Sequence, residues 1–237
     1  LPYNYSYAPT VPSTGFCEGV IDVVTVTDNA GCTKSDTVYF AIPGLVWPGD
    51  ANADLVANNF DLFPIGQAYG DTGGIRASAT ITWNGQVAPD WSDSLNGLNN
   101  KHIDCNGDGV VNVNDTLAIS QNYGLTHQRL TPPLPASLTD PDLYFTVLVD
   151  TSQAGDQLLL PINLGTLLVP ADSIYGIAMT INYSKNIVDS ASVFAKFDSC
   201  WIGTLNSNLI SIQKDNYSNG RIDLAVVRTD KQNQSGH

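Results

Sequence analysis

Asp104, Asn106, Asp108, Asn112 and Asp115 occupy positions 1, 3, 5, 9 and 12 of the twelve-residue stretch DCNGDGVVNVND. Side-chain oxygens at alternate positions of a tight turn converge on one point, and Val110 at position 7 adds a backbone carbonyl. An oxygen-only set suits a hard cation taking about six to eight oxygens; zinc prefers nitrogen and sulfur. Calcium is therefore the expected ion, with Asn112 reaching it directly or through a water. Gly109 at position 6 supplies the backbone freedom that the sharp turn needs. The same register occurs 54 residues earlier (104 minus 50), where Asp50, Asn52, Asp54, Asn58 and Asp61 recur with Val56 at position 7. Between residues 50–70 and 104–124, ten of 21 positions are identical, including the closing Gln, Tyr and Gly, so two calcium ions are expected. The first loop is the weaker of the two, because Leu55 stands where Gly109 does and Ala57 where Val111 does. The alternative is a pair of Asx-rich turns with no ion, since Asp, Asn and Gly favour turns in any case. Two matching sets of spaced oxygens, each followed by an apolar helical stretch, favour metal.

The spacing is that of an EF-hand loop except for Asp in place of Glu at position 12. With a helix following at once, the pattern resembles the dockerin repeat, D-x-N-x-D-G-x-V-N-x-x-D, which occurs as two loop–helix copies. That resemblance implies a small calcium-binding module with helices over 62–69 and 116–123.

The elements around the loops read as mainly β. Gly and Pro together number 33 of 237 residues, and hydrophobic residues make up 43%, which suits a loop-rich globular chain of one to three domains. Twenty-three acidic against ten basic residues give a net charge of −13. Such a chain will not seek nucleic acid or an anionic membrane. No apolar run reaches the roughly 18 residues that a membrane helix needs. The opening LPYNYSY reads as the interior of a longer polypeptide.

Along the chain, alternating residues over 21–27 and 37–42, broken by DNAG, predict a hairpin whose strands take partners from residues 2–11. The pattern C-x-G-x-x-x-V-T-V-T-D-x-x-G-C-T around it resembles the end of the β-sandwich repeats in surface adhesins of gliding bacteria. The resemblance implies a Cys17–Cys32 disulfide in an oxidising compartment; the alternative is two reduced, buried thiols. Residues 1–44 are thus expected to be the C-terminal part of an adhesin-type sandwich. Residues 45–129 form the dockerin-like module, with an insertion at 71–103 that carries Trp83 and Trp91. Residues 130–142 are a Pro-rich, extended connector. From 143 to 237, six apolar runs predict a β-sandwich. Within them AGDQLLLPINLG and IYGIAMTINYSKNIV are similar to the opening of cohesins, with the sandwich incomplete at SGH.

The cysteines left over are Cys105 and Cys200. A bridge between them would close a loop of about 95 residues, worth roughly 4–5 kcal/mol by chain entropy, and would clamp the module to the sandwich; the alternative is two reduced thiols in separate cores. Five tripeptides, at Thr37, Ser94, Thr116, Ser173 and Ser190, resemble the D-[ST]-[AILVMT] acceptor of O-glycosylation in the same bacterial group. Catalysis finds little support: His102, His127 and His237 lie outside any nucleophile motif, and Glu18 is the only glutamate. The expected function is a non-catalytic, adhesive segment of a secreted cell-surface protein, its domain junction stiffened by calcium. Its partners are its own neighbouring domains, surface glycans or other cell-surface proteins. Two rivals are a cellulosome-type scaffold pairing cohesin and dockerin between chains, and a carbohydrate-binding module using Trp83 and Trp91.

Overall fold

The computed structural model describes residues 3–7, 20–28, 33–40, 44–127, 141–148, 151–197 and 199–237. Cys17, Cys32 and nearly all of the Pro-rich connector lie outside the described residues. The chain is mainly β, with two short α-helices among the described residues, as its composition and alternation predict. Among the described residues no helix is long and apolar enough to cross a membrane.

Strands β1 (Tyr3–Tyr7), β2 (Val20–Asp28) and β3 (Thr33–Phe40) form an antiparallel sheet in the order β1-β2-β3. The hairpin closes with Thr27 opposite Thr33, and the N-terminal strand supplies the partner that β2 needs, with Tyr5 opposite Val26.

The two loops lead into helices α1 (Leu62–Gln67) and α2 (Thr116–Asn122), each entered through a single 3-10 turn. Both turns begin with a reciprocal cap. The Asn58 side chain accepts from Phe60 N–H while Asp61 accepts from Asn58 N–H, and Asn112 and Asp115 repeat the pattern. Two orphan amides at each helix start are thereby satisfied by the loop's own residues.

After the connector, β4 (Gly176–Asn182), β5 (Leu209–Asn216) and β6 (Arg221–Arg228) form one antiparallel sheet in the order β4-β6-β5. β6 is central and buried on both faces. Ala225 and Val227 look toward the helical module with Ile210 and Ile212 of β5, whereas Val226 looks the other way, with Leu209 and Ile202. Period-two alternation thus feeds two clusters from one strand.

The sheet packs on α1 at very short range. A Cβ on Gly66 would lie 2.5 Å from Val227 Cγ2, and one on Gly176 would lie 2.9 Å from the Phe63 ring. Glycine on both sides lets helix and sheet approach this closely. Polar groups lock the register. Buried Asn59 donates from Nδ2 to Leu224 O at 3.0 Å and Met179 O at 3.3 Å, and Tyr175 Oη donates to Gly66 O at 2.8 Å.

The other expected runs contribute, among the described residues, only short two-stranded pairs, Leu143–Phe145 with Ile162–Leu164 and Ala171–Ile174 with Gln234–Gly236. DQLLLP and VFAKF are not strands, and Leu158, Leu159 and Leu160 are exposed. Instead, the inner face of the sheet is covered by the helical module.

Candidate metal centre

The two loop–helix units pair reciprocally through their backbones. Gly70 N–H donates to Val111 O at 2.9 Å, and Gly124 N–H donates to Ala57 O at 2.7 Å. Val111 N–H reaches Asp71 O as Ala57 N–H reaches Leu125 O, and Gly73 N–H reaches Gly109 O as His127 N–H reaches Leu55 O. Every residue in one bond of each pair is 54 positions from its counterpart in the other, so the module has a pseudo-two-fold axis. The position-7 residues take part: Val110 bridges Thr72, and Val56 bridges Thr126. Each loop is therefore braced by the segment that leaves the other unit's helix.

Within each loop the expected ligands turn inward and are organised by local amides. Asp61 accepts from Asn52 N–H at 3.1 Å and Asn58 N–H at 2.7 Å, while Asp115 accepts from Asn106 N–H at 3.0 Å and Asn112 N–H at 2.8 Å. Asn52 and Asn106 accept from Asp54 and Asp108 N–H, whose own carboxylates accept from Val56 and Val110 N–H. Position 1 is held by the amide of position 6: Asp50 Oδ2 accepts from Leu55 N–H at 3.2 Å and Asp104 Oδ2 from Gly109 N–H at 3.0 Å.

Asp50, Asp61, Asp104 and Asp115 are buried, while Asp54 and Asp108 are exposed. Among the described residues, the one buried cation beside the second loop is Arg76, which draws the Asp104 carboxyl down. Asp61 and Asp115 are 0% exposed, and among the described residues none of Asp54, Asp61, Asp104, Asp108 and Asp115 has a salt-bridge partner. Burial pushes the Asp115 carboxyl up to about 7 against the restraining pull of the Asn112 and Asn106 amides, and nearby Asp104 and Asp108 raise it further. Burial also raises Asp104, and raises Asp61 well above the ordinary carboxylate range, with Asp50 and Asp54 adding like charge. A buried anion with no countercharge is costly, and a cation bound in the loop removes that cost.

Among the described residues no three His, Cys, Asp or Glu side chains are gathered into a ready-made metal site. The donor set is a mixture of carboxylates, Asn amides and one carbonyl per loop. One observation fits a cation directly: Asp50 Oδ1 is buried with no hydrogen-bond partner. Its counterpart Asp104 Oδ1 is engaged by Gly107 N–H at 2.8 Å.

The insertion is tied to both loops. Arg76, 2% exposed, donates from Nη1 to Asp104 O at 3.0 Å and from Nη2 to Cys105 O at 2.9 Å. At the other loop, Trp83 sits 5.7 Å from the His127 ring, which stacks on Trp47 at 4.3 Å with an interplanar angle of 1°. His127 Nε2 lies 2.9 Å from Asp50 Oδ2. Nothing in the sequence marks His127 or Arg76, since the loop groups they hold are 28 to 77 residues away.

The cysteine bridge and the paired-tryptophan rival meet a different arrangement. Cys105 and Cys200 are free thiols, not a bridge. Position 2 of the loop faces the module's core, where Cys105, like its counterpart Ala51, is fully buried; Cys200 is exposed in a short hairpin (Ser199–Cys200 with Gly203–Thr204). Trp91 is 6% exposed, lies against Gly73 and donates from Nε1 to Gly74 O at 3.1 Å, so it offers no face for a sugar beside Trp83. The five acceptor tripeptides differ in access. Ser94 and Ser173 are exposed, Ser190 is half-buried, Thr37 is on β3, and the Thr116 hydroxyl already donates to Val113 O at 2.7 Å.

Compared with known proteins, no family model matches the chain, and no curated protein or solved structure matches it.

Proposed function

We propose that this chain is a non-catalytic, calcium-stabilised segment of a secreted cell-surface protein. In this reading a dockerin-like pair of loops binds two calcium ions and forms a rigid junction with the cohesin-like strands that follow. The observation carrying it is the repeated set of spaced oxygens, with Asp61 and Asp115 fully buried and without a salt-bridge partner at equivalent places in two units related by a pseudo-two-fold axis. In the first loop the ligands would be Asp50, Asn52, Asp54, the Val56 carbonyl, Asn58 and Asp61. In the second they would be Asp104, Asn106, Asp108, the Val110 carbonyl, Asn112 and Asp115. Bound calcium supplies the positive charge that these acids lack. The chain's own residues orient the oxygens through the Asx turns and brace each loop on the other unit's exit segment.

The structural role follows from where the loops sit. α1, which the first loop caps, is the element on which β5 and β6 pack, so ordering the loop orders the junction. Pairing with a cohesin or dockerin on another chain is the less supported reading, because the α1 face is already covered by the chain's own sheet. Calorimetric titration of the chelated chain with calcium tests the proposal. Two ions per chain are expected, and heat for neither site would overturn it.

A further inference from the structure

We propose that His127 is a positioning residue for the first calcium loop, holding Asp50 Oδ2 so that Oδ1 is left to face the ion. The inference rests on the calcium reading above and adds a residue that the twelve-residue loop pattern does not contain. The imidazole Nε2 lies 2.9 Å from Asp50 Oδ2. A nitrogen at that distance from a carboxylate oxygen, itself already accepting from Leu55 N–H, carries the hydrogen of the bond. Both atoms are sheltered, with side-chain exposures of 9% for His127 and 3% for Asp50. The ring cannot swing away: it lies flat on Trp47, and Trp83 closes over both at centroid distances of 5.2 and 5.7 Å.

The result is a carboxylate with one oxygen doubly held and the other buried without a partner. That is the arrangement of an outer-sphere donor fixing a metal-binding carboxylate, where removing the donor commonly costs about 10–100-fold in metal affinity. The second loop does without it. There the equivalent position is Gly73 (127 minus 54), a Cβ on which would run into the Trp91 ring, and Asp104 is held by two amides of its own loop. The first loop has only one such amide, from Leu55, and the histidine stands in for the second.

The test follows the Leu55 and Gly109 amides of the full chain by NMR during a calcium titration, since each N–H reports its own loop. His127→Phe keeps the stack on Trp47 and removes the donor; His127→Gln keeps a donor and removes the ring. We expect His127→Phe to raise the calcium midpoint at Leu55 by about tenfold or more, His127→Gln to recover most of that loss, and Gly109 to titrate as in the parent chain in both. An unchanged Leu55 midpoint in His127→Phe overturns the role, as does an equal loss in the two variants. A parent chain that responds at Gly109 alone sinks the role and leaves the second calcium site standing. No response at either amide brings down the calcium reading itself, and this role with it.

Discussion

The two loops share one backbone shape but reach it by different routes. In the second, the left-handed residues at positions 4 and 6 are Gly107 (φ 79°) and Gly109 (φ 86°); in the first they are Ala53 (φ 57°) and Leu55 (φ 82°). A side chain in that region costs on the order of 1–2 kcal/mol per residue, so the first loop holds strain that the second does not. Outside support differs too: Arg76 holds backbone carbonyls of the second loop, while at the first the support reaches the position-1 carboxylate itself. His127, Trp47 and Trp83 gather beside Asp50, whereas the second loop satisfies Asp104 from within. The glycines give the second loop its left-handed turns at no steric cost, whereas the first holds the same shape against strain.

On the proposed calcium reading, the largest effect that bears on this comparison comes from chelating both loops at once. A ligand at a hundred times its dissociation constant stabilises by about 2.7 kcal/mol per site, so two sites give about 5 kcal/mol. For a chain of this size that is a fall in melting temperature of roughly 10–20 °C. A chelator that leaves the melting curve in place would falsify the stabilising role of both loops.

Gly109→Leu transfers the first loop's residue to the second, where the built Cβ would also lie 2.9 Å from Gly73 O. We expect a loss of about 2–3 kcal/mol from strain and crowding together. By calorimetry its second site should weaken to the level of the first or below; two distinct sites with parental affinities would show that glycine is not what separates the loops.

The helices invite the same exchange. Gly66 and Asn59 of the first unit meet the sheet, while their counterparts in the second are Ser120 and Val113. Gly66→Ser should push α1 off Val227 and lower stability by about 1–3 kcal/mol, measured by denaturant titration. Stability equal to the parent would mean that the close approach does not select the first face.

A smaller effect, of a few degrees, concerns pH in the calcium-free chain. Asp115, raised to about 7 in the fold, binds a proton there that the unfolded chain releases at about 4. Its contribution is present below pH 4 and lost as pH rises through 7. Chelated protein should therefore melt higher at pH 5 than at pH 7.5, and the gain from calcium should be greater at pH 7.5. The reverse order of melting temperatures would contradict the burial of that carboxylate.

The smallest expected change is a gain. Leu55→Gly relieves the left-handed leucine but loosens the unfolded chain, for a net stabilisation of about 0.5–1 kcal/mol. Calcium binding at the first loop should tighten or hold; a clear weakening would mean that Leu55 contributes contacts that outweigh its strain.

What could be read from the residues is what acts over a dozen positions or fewer. The repeated spacing of the loop oxygens and helices ending within two residues of their expected bounds follow from oxygens that bond amides two or three residues away, although the caps that Asn58 and Asn112 form were not read from the sequence. The β2–β3 hairpin was legible for the same reason, because alternation and a short turn set its register. Fold-back of one unit on the other was not. Its bonds join residues such as Gly70 and Val111, and nothing periodic in either segment points to the other.

Tertiary structure alone decided which of two nearly equivalent helices takes the sheet, and it did so by steric means, through the missing side chain at Gly66 and the amide of Asn59, which reaches Leu224 across 165 residues. It also turned Cys105 into the core and away from Cys200, buried Trp91 where the rival carbohydrate-binding reading needed a sugar platform, and brought His127 to Asp50 from 77 residues away. Side chains whose partners lie that far along the chain carry no local pattern, because their positions are set by the packing of whole elements and not by the backbone conformation of their neighbours.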